Sequence, residues 1–574
     1  MFELLLPSLA LIVGAGLLLA LAPALQPRWI AATVAGMALV LILVGTGTVG
    51  APRQFAMWSS FKVLIPPLTF QANEPARFLG LALTAAAMAA ILVAHEDDAG
   101  PESRPRGAGL IGIIRASVRS WREKIKCGGL DWAFALVTLA AGWIALLPTN
   151  LLTLAMTWAI LDGVVAIAWL CSAPPAGEDS EPGAALRWGT GVLATLLLWS
   201  AALPLQASHA LLRIESLPPQ EWAGTMLILA IILRLAPYPF HLFQGWVRPL
   251  RRHVPTNTET HLGADKTKTL PGSARRPLLA TVSQLASGAA GIWLLAQISG
   301  WEAMPFLSRQ IVSSLLLTGL VVSGLLAVLS GGERQATGWI MTGQAGIVVL
   351  AGLWCGPKAA LAEGMVLILA GGLLSLLSHM DAQSLETRIA GWVGVGALAG
   401  LPLTWGGDGR FLLYAGWLRE GPPLHLLLAS GGYLLLLAAA ARPLFHPPNR
   451  PLARQERLAA GGGLGLLALG LLLRSGPIAA ATGPVWLAIL IPLGGGVLLA
   501  WGAESLRPLQ QAPATRLWDL LTLCPVHRLA EKIAGRVGAG VRGAHDVLEG
   551  EGALLWVLIL LALGWLLLAA GSPG

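Results

Sequence analysis

Apolar runs of about twenty residues recur along the whole of this 574-residue chain. Coiled into a helix, a run of that length crosses the roughly 30 Å hydrocarbon core of a bilayer. One large soluble core does not explain so many of them. The chain is 55% hydrophobic and 12% charged, whereas a soluble domain is about a quarter charged. Its mean hydropathy is +0.70. These features predict an all-α polytopic membrane protein. The net charge of +8 looks like a nucleic-acid signal, but it sits in the loops between spans. Membrane topology explains it, and no nucleic acid is expected as a partner. Cys127, Cys171, Cys355 and Cys524 lack the spacing of a disulfide framework or a metal site. There is no phosphate loop, GxGxxG, HExxH or nucleophile elbow, so no cofactor is expected.

The runs place spans near 3–22, 29–49, 77–95, 130–147, 150–171, 186–205, 221–243, 277–298, 308–330, 337–355, 359–378, 388–418, 424–441, 458–474, 480–501 and 553–571. That makes about sixteen transmembrane helices, with ends uncertain by a few residues. Arg104–Lys126, Arg248–Arg276, Arg442–Arg457 and Arg507–Arg542 then fall on one side as basic loops. The other side holds short, weakly charged turns, as the positive-inside rule requires. The expected setting is the cytoplasmic (inner) membrane, with both termini on the outer side. Leu4–Leu21 has no basic segment before it and is too long for a signal-peptide core, so it is read as a retained span.

Three segments do not span. Ala51–Ala76 carries a proline pair and reads as a short outer hairpin. In Asp97–Gly129 the stretch LIGIIRASVRSWREKIK reads as a basic amphipathic surface helix. In Leu506–Glu549, Val526, Leu529, Ile533, Val537 and Val541 repeat at three- and four-residue steps, with Arg528, Lys532, Arg536 and Arg542 on other faces. Such a helix lies along a surface and at about 30–45 Å reaches across several neighbours.

The polar residues inside the spans carry the functional signal. A charge deep in an apolar helix costs roughly 2.5–3.5 kcal/mol on insertion scales, so Arg234 is a functional candidate. Pro237 and Pro239 interrupt its helix before His241. Asp408 and Arg410 lie on a Gly-rich break in the twelfth span, where a local salt bridge between them is one reading. Glu363, near the outer end of span eleven, reads as interfacial.

Five segments, in order, resemble the antiporter-like, proton-channel subunits of complex I, membrane-bound hydrogenases and multisubunit cation/proton antiporters. They are NLLTLAMTWAI (Asn150–Ile160), RLAPYPFHLFQGW (Arg234–Trp246), LATVSQLA (Leu279–Ala286), RQATGWIMTGQAG (Arg334–Gly346) and GLPLTWGGDGRF (Gly400–Phe411). The late amphipathic segment followed by one more span is similar to the distal complex I subunit, with its lateral helix. The resemblance implies broken helices 7 and 12. It divides the chain into N-terminal spans and outer loop (1–76), an antiporter-like core (77–442), additional spans (443–505), a lateral helix (506–549) and an anchoring helix (550–574). It also implies other membrane subunits of a multisubunit complex as partners, with quinone reached only through them.

In the family, a glutamate on helix five pairs with a lysine on helix seven, and lysines on helices eight and twelve carry protons onward. Here Ala159 stands at the glutamate, Arg234 and Arg410 at two lysines, and Gln284 at the third. Two readings follow. The ion pair is rebuilt one turn along, between Asp162 and Arg234, or the channel is degenerate, since arginine stays protonated and glutamine does not titrate. The expected proton path and ion pair comprise Asp162, Arg234, His241, Gln284, Asp408 and Arg410. The leading expectation is proton translocation coupled to redox chemistry in other subunits. The alternatives are a structural, non-conducting subunit and the membrane subunit of an inorganic-carbon uptake or cation/proton antiport system.

Overall fold

A computed structural model describes residues 2–21, 26–45, 53–55, 68–94, 129–171, 181–208, 214, 221–240, 276–298, 306–330, 332–380, 384–420, 422–445, 454–473 and 483–502. Among these residues the chain forms sixteen α-helices and one two-stranded sheet. Helices α1 (Phe2–Leu21) and α2 (Pro27–Gly45) come first. Strand β1 (Arg53–Phe55) then pairs antiparallel with β2 (Leu68–Phe70), Arg53 opposite Phe70, in the stretch read as a hairpin. Then come α3 (Glu74–Val93), α4 (Leu130–Ile144), α5 (Leu151–Cys171), α6 (Glu181–Ser208), α7 (Glu221–Leu235), α8 (Arg276–Gln297), α9 (Phe306–Leu329), α10 (Glu333–Cys355) and α11 (Pro357–Leu377). The chain continues with α12 (Leu385–Ala399), α13 (Trp405–Glu420), α14 (Pro423–Phe445), α15 (Arg454–Leu472) and α16 (Gly483–Trp501).

Ten of these helices are long and apolar enough to cross a membrane, and the chain is an integral, multi-pass membrane protein. The amphipathic stretch 110–126, the segment 506–549 and the span 553–571 lie outside the described residues.

The interval 388–418 holds two helices rather than one continuous helix. α12 ends at Gly400, which adopts φ 84, a left-handed conformation that costs glycine nothing. Leu403 follows at φ 69, and α13 starts at Trp405. α7 stops in a related way. Ala236 sits at φ 49 immediately before Pro237, and a residue preceding proline is disfavoured in the right-handed helical region. A non-glycine residue held at positive φ costs on the order of 1–3 kcal/mol and persists only where its surroundings impose it. The helices that carry the buried Arg234 and Arg410, α7 and α13, therefore each abut a strained turn.

α11 lies at the centre of the bundle, packed against α3, α8, α10, α12, α13 and α15. Its sequence is apolar on every face, the pattern of a helix enclosed by protein. Fully buried tryptophans (Trp132, Trp143, Trp158, Trp293, Trp339 and Trp417) fill the spaces between helices.

Candidate functional site

α5 is held at its start. The Asn150 side chain accepts from the Thr153 backbone N–H at 2.6 Å, a helix cap, and donates to the Thr69 hydroxyl of β2 at 2.8 Å. The Thr69 N–H donates in turn to Thr153 Oγ1 at 3.2 Å. From this anchor Asp162 lies twelve residues along α5, about 18 Å at the helical rise. That is near the middle of a core roughly 30 Å thick. Arg234 sits thirteen residues into α7, in the last turn of that fifteen-residue helix.

The two side chains meet. Arg234 Nη1 lies 2.6 Å from Asp162 Oδ1, and Nη2 donates to Oδ2 at 2.8 Å. This is a bidentate, charge-assisted pair, the strongest geometry open to a guanidinium and a carboxylate. The Arg234 side chain is 2% exposed and that of Asp162 10%. Trp158, one turn earlier on the same face of α5, places its ring 4.3 Å from the guanidinium carbon. Arg234 also donates to Ser287 Oγ of α8 at 3.3 Å, and Thr195 of α6 donates to Asp162 Oδ2 at 3.4 Å. Gly191 of α6 permits this approach, because a Cβ there would stand 2.5 Å from the Asp162 carboxyl carbon. Ala159, three residues before Asp162 on α5, is exposed. A three-residue step along α5 thus takes a side chain from the outer surface to the interior.

Beside the pair is a cavity of about 40 Å³ lined by Asp162, Arg234, Thr190, Ser283, Gln284 and Ser287, among others. That is room for about two water molecules among polar partners. Gln284 is half-buried at its wall. Three of the expected residues, Asp162, Arg234 and Gln284, therefore share one polar space.

A second buried pair lies on other helices. Arg410 of α13, 0% exposed, faces Glu363 of α11, also 0% exposed, at 3.3 Å from Nη1 to Oε1. Gln344 of α10 donates to Glu363 Oε2 at 2.8 Å and accepts from Arg410 Nη2 at 3.1 Å. Tyr433 of α14 donates to the same Gln344 oxygen at 2.7 Å, and its ring lies 3.5 Å from the Arg410 guanidinium carbon. The Leu398 carbonyl, at the end of α12, accepts from Arg410 Nη2 at 3.3 Å. Gly409 leaves space for the carboxyl, since a Cβ there would lie 2.7 Å from Glu363 Oε1.

This corrects two expectations. Glu363 is enclosed by protein and not interfacial: six residues from a helix end is shallow along the axis, but α11 is central across the bundle. Arg410 pairs with Glu363 and not with Asp408, because residues two apart on a helix point to different faces. Asp408 is half-buried and keeps contacts of its own. His241 lies outside the described residues. Sequence reasoning missed Gln344 and Tyr433 and underrated Glu363. The available signal was a lone carboxylate on a helix with no polar face, which must look into protein. Among the described residues no group of His, Cys, Asp and Glu side chains is arranged to hold a metal ion.

No protein-family model matches the chain, and no curated protein matches it. Solved structures do match by fold. The Mrp complex from Dietzia sp. DQ12-45-1b aligns at a TM-score of 0.64 and 15% identity, over 99% of this chain and 63% of that one. Respiratory complex I from Thermus thermophilus with bound NADH aligns at 0.60 and 15% identity, over 86% and 99%. The membrane-bound sulfane sulfur reductase, an archaeal respiratory membrane complex, aligns at 0.61 and 13% identity, over 98% and 100%. This chain spans under two thirds of the Mrp chain's length. At such identities the shared property is the fold, and it is the antiporter-like fold implied by the five motifs.

Proposed function

We propose that this chain is an antiporter-like membrane subunit of a complex I-type assembly and takes part in proton translocation coupled to redox chemistry in other subunits. Its partners are the neighbouring membrane subunits, and quinone is reached only through them. The observation that carries the reading is the Asp162–Arg234 pair, bidentate and buried, beside a polar cavity with room for water. A permanent cation there is costly without a function. Asp162 supplies a titratable carboxyl. Arg234 holds it in place and stabilises its charged form, and Gln284 with the serines of α8 orients water at the cavity wall. His241 and Asp408 are the other titratable groups assigned to the path, and Arg410 is a fixed cation within it.

The test is the assembled complex in sealed vesicles, driven by its electron donor and followed with a pH-sensitive dye. Asp162→Asn and the double change D162N/R234Q are expected to abolish acidification while electron transfer and assembly persist. Undiminished pumping by both would overturn the reading. A second reading, a structural subunit that no longer conducts, is favoured by one observation. Both arginines stand where the family has lysines, and arginine does not release its proton. The same two variants separate the readings, because a structural subunit leaves pumping unchanged. The Mrp likeness favours cation/proton antiport as the alternative setting, and sodium dependence of the acidification would identify it.

A further inference from the structure

A group that carries a proton must exist in two protonation states. In the second buried cluster Arg410 remains charged, Gln344 does not titrate, and Tyr433 uses its hydroxyl to donate to Gln344. Glu363 is the carboxyl group of the cluster, and the function proposed above leaves it unused.

Its surroundings are arranged for a change of charge. Oε2 is anchored by the Gln344 amide at 2.8 Å. Oε1 has no hydrogen-bond partner among the described residues and faces Arg410 at a loose 3.3 Å. Arg410 is also supported without Glu363. It donates to the Gln344 oxygen at 3.1 Å and the Leu398 carbonyl at 3.3 Å, and the Tyr433 ring lies 3.5 Å from its guanidinium carbon. Those partners are neutral, so the guanidinium keeps hydrogen bonds and a cation–π contact when the carboxylate is neutralised. Asp162 differs, since both of its oxygens are taken by Arg234, at 2.6 and 2.8 Å.

We propose that Glu363 is the proton-carrying group of the second cluster, with Arg410 as its fixed counter-charge and Gln344 and Tyr433 as positioning residues. This rests on the translocation reading above. In the step, an O–H bond forms at Oε1 as an O–H bond of a hydronium ion breaks, leaving water. On release the bond at Oε1 breaks, the proton passes to water to re-form hydronium, and no electrons change hands.

The experiment uses the assembled complex in vesicles. Glu363→Gln keeps the hydrogen bond to Gln344 but cannot carry a proton, so pumping is expected to fall to background at unchanged electron transfer. Glu363→Asp is expected to restore part of it. The double change E363L/R410M removes both charges together and preserves an apolar fit, and it is expected to assemble and not pump. On the unaltered complex, dicyclohexylcarbodiimide adds to protonated carboxyls. It is expected to label Glu363, mapped by mass spectrometry, with pumping lost in proportion to labelling. Full pumping by E363Q or by the double variant overturns the proposal. So does full pumping with Glu363 quantitatively labelled, or absence of label there at every pH at which the complex works. Failure here is separable from failure of the broader reading. If D162N stops pumping and E363Q does not, only the role of Glu363 falls; if both pump, the translocation reading falls with it.

Discussion

The two buried arginines solve the same problem in different ways. Arg234 is held chiefly by the Asp162 carboxylate, through two short parallel bonds at 2.6 and 2.8 Å, with Ser287 and the Trp158 ring as weaker partners. Arg410 has the longer ion pair, 3.3 Å to Glu363, and divides its remaining contacts among an amide, a backbone carbonyl and a tyrosine ring. The first arrangement holds both oxygens of its carboxylate. The second leaves Glu363 Oε1 without a hydrogen bond. A polar cavity of about 40 Å³ lies beside the first pair, whereas the second is sealed by side chains at 0% exposure. Burial by itself therefore does not separate a tight pair from a loose one. The geometry of the ion pair does, with two short bonds in the first and one 3.3 Å contact in the second.

Several substitutions would break or sharpen that contrast. The largest effect is expected from Arg234→Ala, which strands the Asp162 carboxylate and should cost roughly 3–5 kcal/mol. Arg410→Ala should cost less, because its carboxylate keeps the Gln344 bond. Chemical denaturation of the two purified variants in detergent compares them, and equal losses would erase the distinction. Gly191→Ala comes next. Its Cβ would press on the Asp162 carboxyl, so an overpacking cost of about 1–3 kcal/mol is expected, along with a longer Arg234–Asp162 contact in a structure of the variant. Tyr433→Phe keeps the ring over Arg410 and removes one hydrogen bond, for a loss of about 1 kcal/mol in the same denaturation assay. Thr195→Val should be smallest, about 0.5 kcal/mol, since its 3.4 Å bond is long. A larger loss there would mean that the first pair depends on more than its two charges.

Much of the fold was legible because lipid imposes length and hydropathy on each helix separately. The apolar runs of α1 to α3, α5 and α8 to α11 can be found one at a time, and the prolines at 237 and 239 mark the end of α7. Partners were legible only where local spacing carried them. Asp162 and Trp158 lie one turn apart on α5, so a single guanidinium reaching either meets both. Glu363 was misjudged because its distance from a helix end measures depth along the axis and not position across the bundle. Gln344 and Tyr433 went unseen because neither is charged, and their role lies wholly in what they touch. The segment 506–549, whose periodicity reads as a lateral helix, lies outside the described residues.

The amino-acid sequence by itself determined that this chain lives in a membrane, how its helices are punctuated, and that arginine and glutamine stand inside its apolar spans. Those properties are local, set by side-chain transfer energies and backbone chemistry within one helix at a time. Only the tertiary structure decided that Arg410 belongs to Glu363, that Gln344 holds both, and that Asp162 and Gln284 face a common cavity. Each of those contacts joins different helices, some adjacent in sequence and others more than sixty residues apart. A helix fixes the direction of a side chain relative to its own axis, but the packing of its neighbours decides what that side chain meets.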